Sequence, residues 1–492
     1  MRRKFLTNLI LLVFLNFLIK PFWVFGIDMG VQNSVGPSEY GFYFTILNFA
    51  FIFQILLDMG ITNFNNRNIA QNNHLLSKHF SSIIILRFVF SIIYLSVILG
   101  LGKLMNYDSR QMYFLMIIGF NQFLLSLILY LRSNISALLL FKVDSFISVL
   151  DRLLMIIICA ILLWGGVTNT NFQISWFIYA QTFSYLLTAL IAFLVLLKRM
   201  EFKGLNWNTT FFIFIIKKSF PYATLILLMG LYGRIDTVLI ERLLPNGDLQ
   251  SGIYASAFRL LDVANNMSGV LFAALLLPLF AKMISKKEDL NRLVKLGFTL
   301  LFILSTAVAI ASFFYGEAIM NFLYHRHISE TEVEYAIRMQ ETATIFRLLM
   351  FVYVFTSSTY IFGTLLTANG SMKTLNIIAL IGVIISLIVN FSLIPRIEAI
   401  GSAWANLSAQ SITALLQLGY AFYLLPISFD KKYITKLILY VAITFTLSWI
   451  SSILPFQWQI NLGLLIIMTT IVAFLLKLLD LKSFFLIIKN EE

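Results

Sequence analysis

One cysteine, Cys159, stands among 492 residues. No disulfide can form within the chain, and a lone Cys in an apolar run reads as packing. Charge is scarce too. Only 12% of the residues are Asp, Glu, Lys or Arg, against about 25% in a soluble domain. The four histidines, His74, His79, His325 and His327, are read as loop residues, so no histidine base is expected inside an apolar run. His325-Arg326-His327 offers two metal-ligand types but reads as a solvated loop, and no metal site is expected. A Gly-x4-Gly-Lys-Ser/Thr loop is missing, which excludes ATP hydrolysis by that route. No basic stretch interleaved with aromatics lies outside the apolar runs, so nucleic acid is not an expected partner.

What the chain has is apolar length: 60% of it is hydrophobic. Runs long enough to cross a bilayer, about 20 residues, recur near 5–33, 40–62, 79–102, 111–131, 146–166, 172–197, 214–243, 252–280, 293–314, 343–367, 374–394, 401–424, 434–453 and 460–479. The composition predicts an all-α polytopic membrane protein of about 14 transmembrane helices. The connections left over are too short for a soluble domain. The first run passes thirty residues without a small-residue cleavage site at the right distance, so it reads as a span and not as a cleaved signal peptide. The longest external segment, about 315–342, is acidic and reads as a short amphipathic stretch or a lid.

Orientation follows from Lys and Arg. With the N-terminal Met1-Arg2-Arg3-Lys4 inside, the cytoplasmic segments hold 24 of the 36 Lys and Arg, the external loops 6 and the spans 6. Both termini are therefore expected in the cytoplasm. The net charge of +13 is mostly this inner-face excess, which suits anionic headgroups of membrane lipids.

The chain partly repeats itself. Ile27-Asp28, Pro37 and Gly41-Phe42-Tyr43 have counterparts in Ile235-Asp236, Pro245 and Gly252-Ile253-Tyr254, with the same Asp-to-Pro spacing. Leu86/Phe88 and Leu296/Phe298 continue the correspondence. Copies six spans apart share one orientation, so the pattern predicts two parallel six-helix lobes about a central cavity. The expected divisions are 1–205 for spans 1–6, 206–426 for spans 7–12, and 427–492 for two added C-terminal helices with a cytoplasmic tail.

Six cations fall inside spans: Lys20, Arg87, Arg152, Arg234, Arg259 and Arg347. Each costs about 2.5–3.5 kcal/mol at the bilayer centre on insertion scales. Four in-span acids, Asp28, Asp151, Asp236 and Asp262, leave the balance positive. A cavity with spare positive charge suits an anionic cargo, and arginine grips phosphate oxygens bidentately. All six are candidates for such a cavity. Lys20, deep in its span and followed by Pro21, marks a kink beside a cation. Arg87 and Arg347, placed in the first turns of their spans, fit a cavity wall or a head reaching the interface. Arg259 and Asp262 share a helix face and form either an internal ion pair or part of the site. Asp58 reads as a cap or loop anchor. Asp236, Asp28 and Asp262 are candidates for coupling to Na⁺ or H⁺; for Asp236 an ion pair with a neighbouring helix is the alternative. No catalytic residue and no cofactor are expected.

Two stretches then carry a resemblance. Arg234-Ile235-Asp236-Thr237-Val238-Leu239-Ile240-Glu241 with Gly252-Ile253-Tyr254-Ala255-Ser256-Ala257-Phe258-Arg259-Leu260-Leu261-Asp262 resembles spans 7 and 8 of bacterial polysaccharide flippases. Gly36-Pro37-Ser38-Glu39-Tyr40-Gly41-Phe42-Tyr43 with Leu57-Asp58-Met59-Gly60-Ile61 resembles their spans 1 and 2. These are O-antigen and capsule repeat-unit (Wzx-type) flippases of the multidrug/oligosaccharidyl-lipid/polysaccharide exporter superfamily. The resemblance implies translocation of undecaprenyl-pyrophosphate-linked oligosaccharides across the bacterial inner membrane by alternating access, driven by an ion gradient. It also implies a groove for the lipid tail framed by spans 13 and 14, and polysaccharide assembly proteins as partners. A cation-exporting multidrug antiporter of the same superfamily is the alternative, for which an acidic cavity and twelve spans are expected. A polysaccharide polymerase would call for a large external loop, and an acyltransferase for an in-membrane histidine.

Overall fold

A computed structural model describes residues 18–61, 75–138, 140–166, 172–198 and 209–479. The N-terminal basic residues, His74 and the start of the first expected span lie outside them. Among the described residues there is no strand. Fourteen α-helices follow in order: α1 Met29–Ile52, α2 Leu75–Leu104, α3 Ser109–Ala137, α4 Phe141–Trp164, α5 Ile174–Leu197, α6 Thr209–Arg234, α7 Asp236–Leu243, α8 Gly247–Ala264, α9 Val270–Lys286, α10 Asn291–Leu323, α11 Glu332–Ala368, α12 Met372–Leu424, α13 Lys431–Ile453 and α14 Trp458–Leu475. π-Helical turns lead into α1 (Trp23–Asp28) and join α8 to α9 (Asn265–Gly269).

Fourteen helices accord with the expected number, but helices and spans do not correspond one to one. Among the described residues, nine helices are long and apolar enough to cross a membrane, and α6 with α7 adds a span bent by 48°. The expected first and second spans meet inside α1, at Gly36, whose φ of 81° leaves the helical region just before Pro37. Glycine takes that conformation without steric cost. The 53-residue α12 joins spans 11 and 12 across non-helical Ile397 and Glu398, just after Pro395. Its two halves are tied by Ser402 Oγ donating to Asn390 Oδ1 at 2.7 Å.

Helix starts follow local chemistry. Asp108 and Gln111 form a capping box on α3, and Thr331 and Glu334 one on α11; each satisfies amides that a helix leaves orphaned. The second box corrects the expected 315–342 lid. That stretch is the end of α10, a short turn and the start of α11, because a continuous apolar pattern and a good cap extend both helices past the expected span ends. His79 likewise falls in the first turns of α2 and not in a loop.

The helices pack into two compact units. One comprises Met1–Glu241 and Asn246–Gly252, the other Arg242–Pro245 and Ile253–Glu492. The division follows packing, and α6 is grouped with the helices before it. In the first unit, Phe80, Ile83, Leu86, Tyr130, Leu131 and Ile135 form a core between α2 and α3. The helix α3 is the most enclosed of the spans, with 67% of its apolar stretch buried. In the second unit, α13 and α14 bury only 28% and 22% of theirs. They join α10 through Ile303, Leu437, Tyr440 and Ala473. Their outer faces leave Ile438, Trp449, Ile466 and Leu475 exposed, a surface suited to lipid rather than water.

The repeat has a direct structural consequence within the first unit. Gly41 and Gly252, which occupy matching places in the two copies, lie against one another's segments. A Cβ on Gly41 would run into the Asp248 carbonyl and the Gly252 amide, and one on Gly252 into the carbonyl of Pro37. Only bare backbone fits at this crossing.

Candidate functional site

The chemistry of the first unit concentrates where Pro21 disturbs the helix. A proline cannot donate its amide to the preceding turn, and the chain goes on in the π-helical Trp23–Asp28, a form common at functional sites. This turn delivers the buried Trp23 to Phe177 of α5, stacked at 5.7 Å. The guanidinium of Arg152, on α4, lies 5.5 Å from the Trp23 ring and 5.8 Å from that of Tyr185. Its Nη1 donates to Tyr185 Oη at 2.9 Å. The Asp151 carboxylate stands 3.8 Å away. Lys20, exposed, feels the like charges of Arg152 and Arg132 and the opposite charge of Asp151. Arg132 in turn pairs with Asp144 at 2.9 Å. Nearby, Gln181 donates to Tyr43 Oη at 2.8 Å.

Two ion pairs, Arg152 with Asp151 and Arg132 with Asp144, therefore lie within electrostatic reach of Lys20. Like charges held together in a medium of low dielectric constant repel one another. An anion between them would relieve that repulsion, and the aromatic walls would exclude water from the contact. The arrangement can hold a phosphate-type group.

The other expected residues of this unit have different settings. Arg87 lies in the middle of α2, because the helix begins at Leu75, but in the first turns of its apolar span, Ser82–Leu104, as expected. It is buried and forms an ion pair with Asp58. It also donates to the Ser126 carbonyl at 3.1 Å and to Ser126 Oγ at 2.9 Å. Its guanidinium lies 4.5 Å from the Tyr130 ring. Asp58 is thus the counter-ion of Arg87 and more than a cap. Arg234 ends α6. It donates to Asn48 Oδ1 at 3.0 Å and covers the Phe51 ring at 4.2 Å. Asn48 donates on to Thr237 Oγ1 at 3.1 Å. Asp236, 1% exposed, opens α7 at the bend. Asp28 closes the π-helical turn and accepts from Tyr40 Oη at 3.0 Å.

In the second unit, Arg259 and Asp262 sit half-buried on α8. Arg347 lies well inside α11, several turns from its start; the expected first-turn placement fails because α11 begins at Glu332. Its side chain packs on Gly316 of α10, where a Cβ would come within 3.3 Å of Cγ. Its Nε is buried without a hydrogen bond among the described residues.

The model of the polysaccharide biosynthesis protein family matches residues 6–284, more than half of the chain. The chain belongs to that family. No curated protein matches this family member by sequence. Several solved structures share its fold. The lipid II flippase MurJ, in an inward closed conformation, superposes with a TM-score of 0.69 at 15% identity, covering 94% of this chain and 98% of its own. A multidrug resistance MATE family transporter of the MOP superfamily, inward-facing, gives 0.64 at 14% identity over 84% and 97%. A MOP superfamily transporter from Pyrococcus furiosus, described by a reverse polarity of its binding pocket, gives 0.59 at 12% identity over 85% and 94%. This member of the polysaccharide biosynthesis family therefore has the fold of MOP superfamily transporters.

The matched region contains Lys20, Arg87, Arg152, Arg234 and Arg259, and Arg347 lies beyond it. Of these, the structure brings Lys20 and Arg152 together. The sequence reading missed Arg132, placed one residue beyond an expected span end, although α3 continues through it. The signal was available: Arg132 and Asp144 flank a short turn between two apolar runs, where a charge pair commonly joins adjacent helix ends.

Proposed function

We propose that this chain is a flippase for lipid-linked oligosaccharides, carrying undecaprenyl-pyrophosphate-linked repeat units from the cytoplasmic to the outer leaflet of a bacterial inner membrane. The product serves O-antigen or capsule assembly, and both termini are cytoplasmic. The observation that carries this reading is Arg152 against Trp23 and Tyr185, with Lys20 within electrostatic reach of Arg152 and Arg132. A diphosphate needs that charge and that shelter. The family's polysaccharide biosynthesis description points the same way. Fold coverage supports it as well. The lipid II flippase covers about a tenth more of this chain than the MATE transporters do, which is about the length of α13 and α14. Transport proceeds by alternating access, with Asp236, Asp28 and Asp262 as candidates for coupling to Na⁺ or H⁺. Arg234 in the first unit, and Arg259 and Arg347 in the second, are further candidates for contact with the anion.

A cation exporter of the multidrug type is the second reading, favoured by the shared fold and opposed by the sign of the charge.

Replacing Lys20 and Arg152 by Gln tests the proposal. A hydrogen bond to a charged group contributes about 1.5–3 kcal/mol, so each variant should lower surface polysaccharide tenfold or more at normal protein level. Unchanged polysaccharide in both, or efflux of cationic dyes by the wild type, would overturn it.

A further inference from the structure

A second cationic site lies in the second unit, at the ends of helices that the cavity does not involve. Arg292 and Lys295 of α10, Lys432 and Lys436 of α13, and Lys477 just after α14 line a pocket of about 400 Å³ together with Leu296, Thr299, Asp430, Tyr433 and Leu478. That volume lies in the range of small-molecule sites, roughly 300–1,000 Å³. Asp430 is the one acid of the lining, and Lys295 Nζ bonds it at 2.7 Å. That ammonium holds the Asp430 carboxyl below its ordinary range, so the pair stays ionised and self-neutral. Arg292, Lys432, Lys436 and Lys477 then face the pocket with no further carboxylate in its wall among the described residues.

The frame is built rather than incidental. Asn291 accepts from the Ser428 amide at 2.8 Å and donates to the Pro426 carbonyl at 3.1 Å, fixing the loop before α13 on the start of α10. Tyr433 shares a hydrogen bond with Thr299 at 2.7 Å and packs edge-on against Phe429. Lys477 turns the chain in the left-handed region, where glycine is the usual choice. Beside the charged rim the surface is apolar. Leu296, Tyr433 and Leu478 form wall, and Ile434, Ile438, Phe474 and Leu475 stand exposed within a turn of it. A ligand matching both halves has an anionic head and a hydrocarbon body. The lysine-rich ends of these spans fall on the face that the charge asymmetry assigns to the cytoplasm, where anionic lipids attract basic groups.

We propose that this pocket binds the phosphodiester headgroup of an anionic phospholipid of the inner leaflet, clamping α13 and α14 to α10. The proposal is independent of which cargo the transporter carries. Phosphatidylglycerol in nanodiscs is a suitable probe, with phosphatidylcholine as the uncharged comparison and inorganic phosphate as the free-anion arm. Native mass spectrometry of the full-length protein should show retained phosphatidylglycerol and little phosphatidylcholine. The K432Q/K436Q/K477Q variant should retain at least tenfold less, and K432R/K436R/K477R should restore it. A photoreactive phosphatidylglycerol on the wild-type chain should label peptides around 431–437 and 477, a readout that needs no variant. Labelling confined to other segments, or equal retention by the Gln variant, would overturn the site. Displacement of the lipid by millimolar inorganic phosphate alone would overturn the lipid assignment, since a free anion would then suffice.

Discussion

Arg87 and Arg152 look alike in the sequence and differ in the structure. Both sit in mid-helix in the first unit, and both lie against an aromatic ring, Tyr130 at 4.5 Å and Trp23 at 5.5 Å. Arg87 is 2% exposed and matched: Asp58 takes its charge and Ser126 takes two of its hydrogen bonds. Arg152 is 27% exposed, with Asp151 at 3.8 Å and Lys20 within electrostatic reach. The first arrangement holds the fold together. The second is only loosely paired and partly exposed, so an anionic ligand could reach it. A charge in a span therefore signals function only when its surroundings leave it partly unmatched.

The largest effect should come from breaking the matched pair. Removing one partner of a buried pair costs about 3–5 kcal/mol, because the other charge is left stranded. R87A should therefore lower thermal stability and cellular protein level sharply. R87M/D58L, which removes both charges, should recover most of the loss; a double variant as unstable as R87A would show that packing, and not charge, is what Arg87 supplies. R152Q, by contrast, should leave stability within about 1 kcal/mol, since it relieves repulsion while losing one hydrogen bond. A collapse of R152Q as severe as that of R87A would erase the comparison.

Asp236 sharpens it from the acidic side. In the coupling role, D236N should express normally and lose the dependence of export on pH and Na⁺, with flux down about tenfold. Retained dependence on both would make Asp236 a structural carboxylate like Asp58.

The smallest effect concerns an ion pair in the turn between α10 and α11. Glu330 meets Arg338 at 2.6 Å. Burial pushes the Glu330 carboxyl up, but the Arg338 guanidinium and the His327 amide outweigh it, and the group ends below its ordinary 4.5. Its contribution is therefore complete above about pH 4.5 and is lost as pH falls through the lower folded value. Hydrogen exchange at 324–335 should be flat between pH 7 and 5 after correction for intrinsic rates, and should rise only in stronger acid. In E330Q that acid step should disappear. Loosening already at pH 6 would assign the turn to a group other than Glu330.

Much of the fold was legible because apolar length and turn chemistry are local. The spans, the break between the first two near Gly36-Pro37 and the correspondence of Gly41 with Gly252 in the repeat all follow from residues close in the chain or at a fixed offset, whereas the contact of the two glycines does not. Helix ends were less so, since hydropathy falls before the helix stops: α11 starts at Glu332, eleven residues ahead of its apolar run. The site was half legible. Lys20 and Arg152 were singled out as candidates by the cost of a buried charge alone. The match of Arg87 with Asp58 was not, because partners 29 residues apart on different elements meet only after packing. The bend at Ile235 also escaped, as nothing but the charges around it marks the place.

The crossing of Gly41 and Gly252 has an entropic consequence. Most helix contacts interlock side chains, and each must freeze rotamers to form, at up to about 2 kcal/mol of entropy for a long one. Here main chain meets main chain, so there is nothing to freeze. Forming the junction therefore freezes few rotamers, and a single added methyl at either glycine would hold the two segments apart.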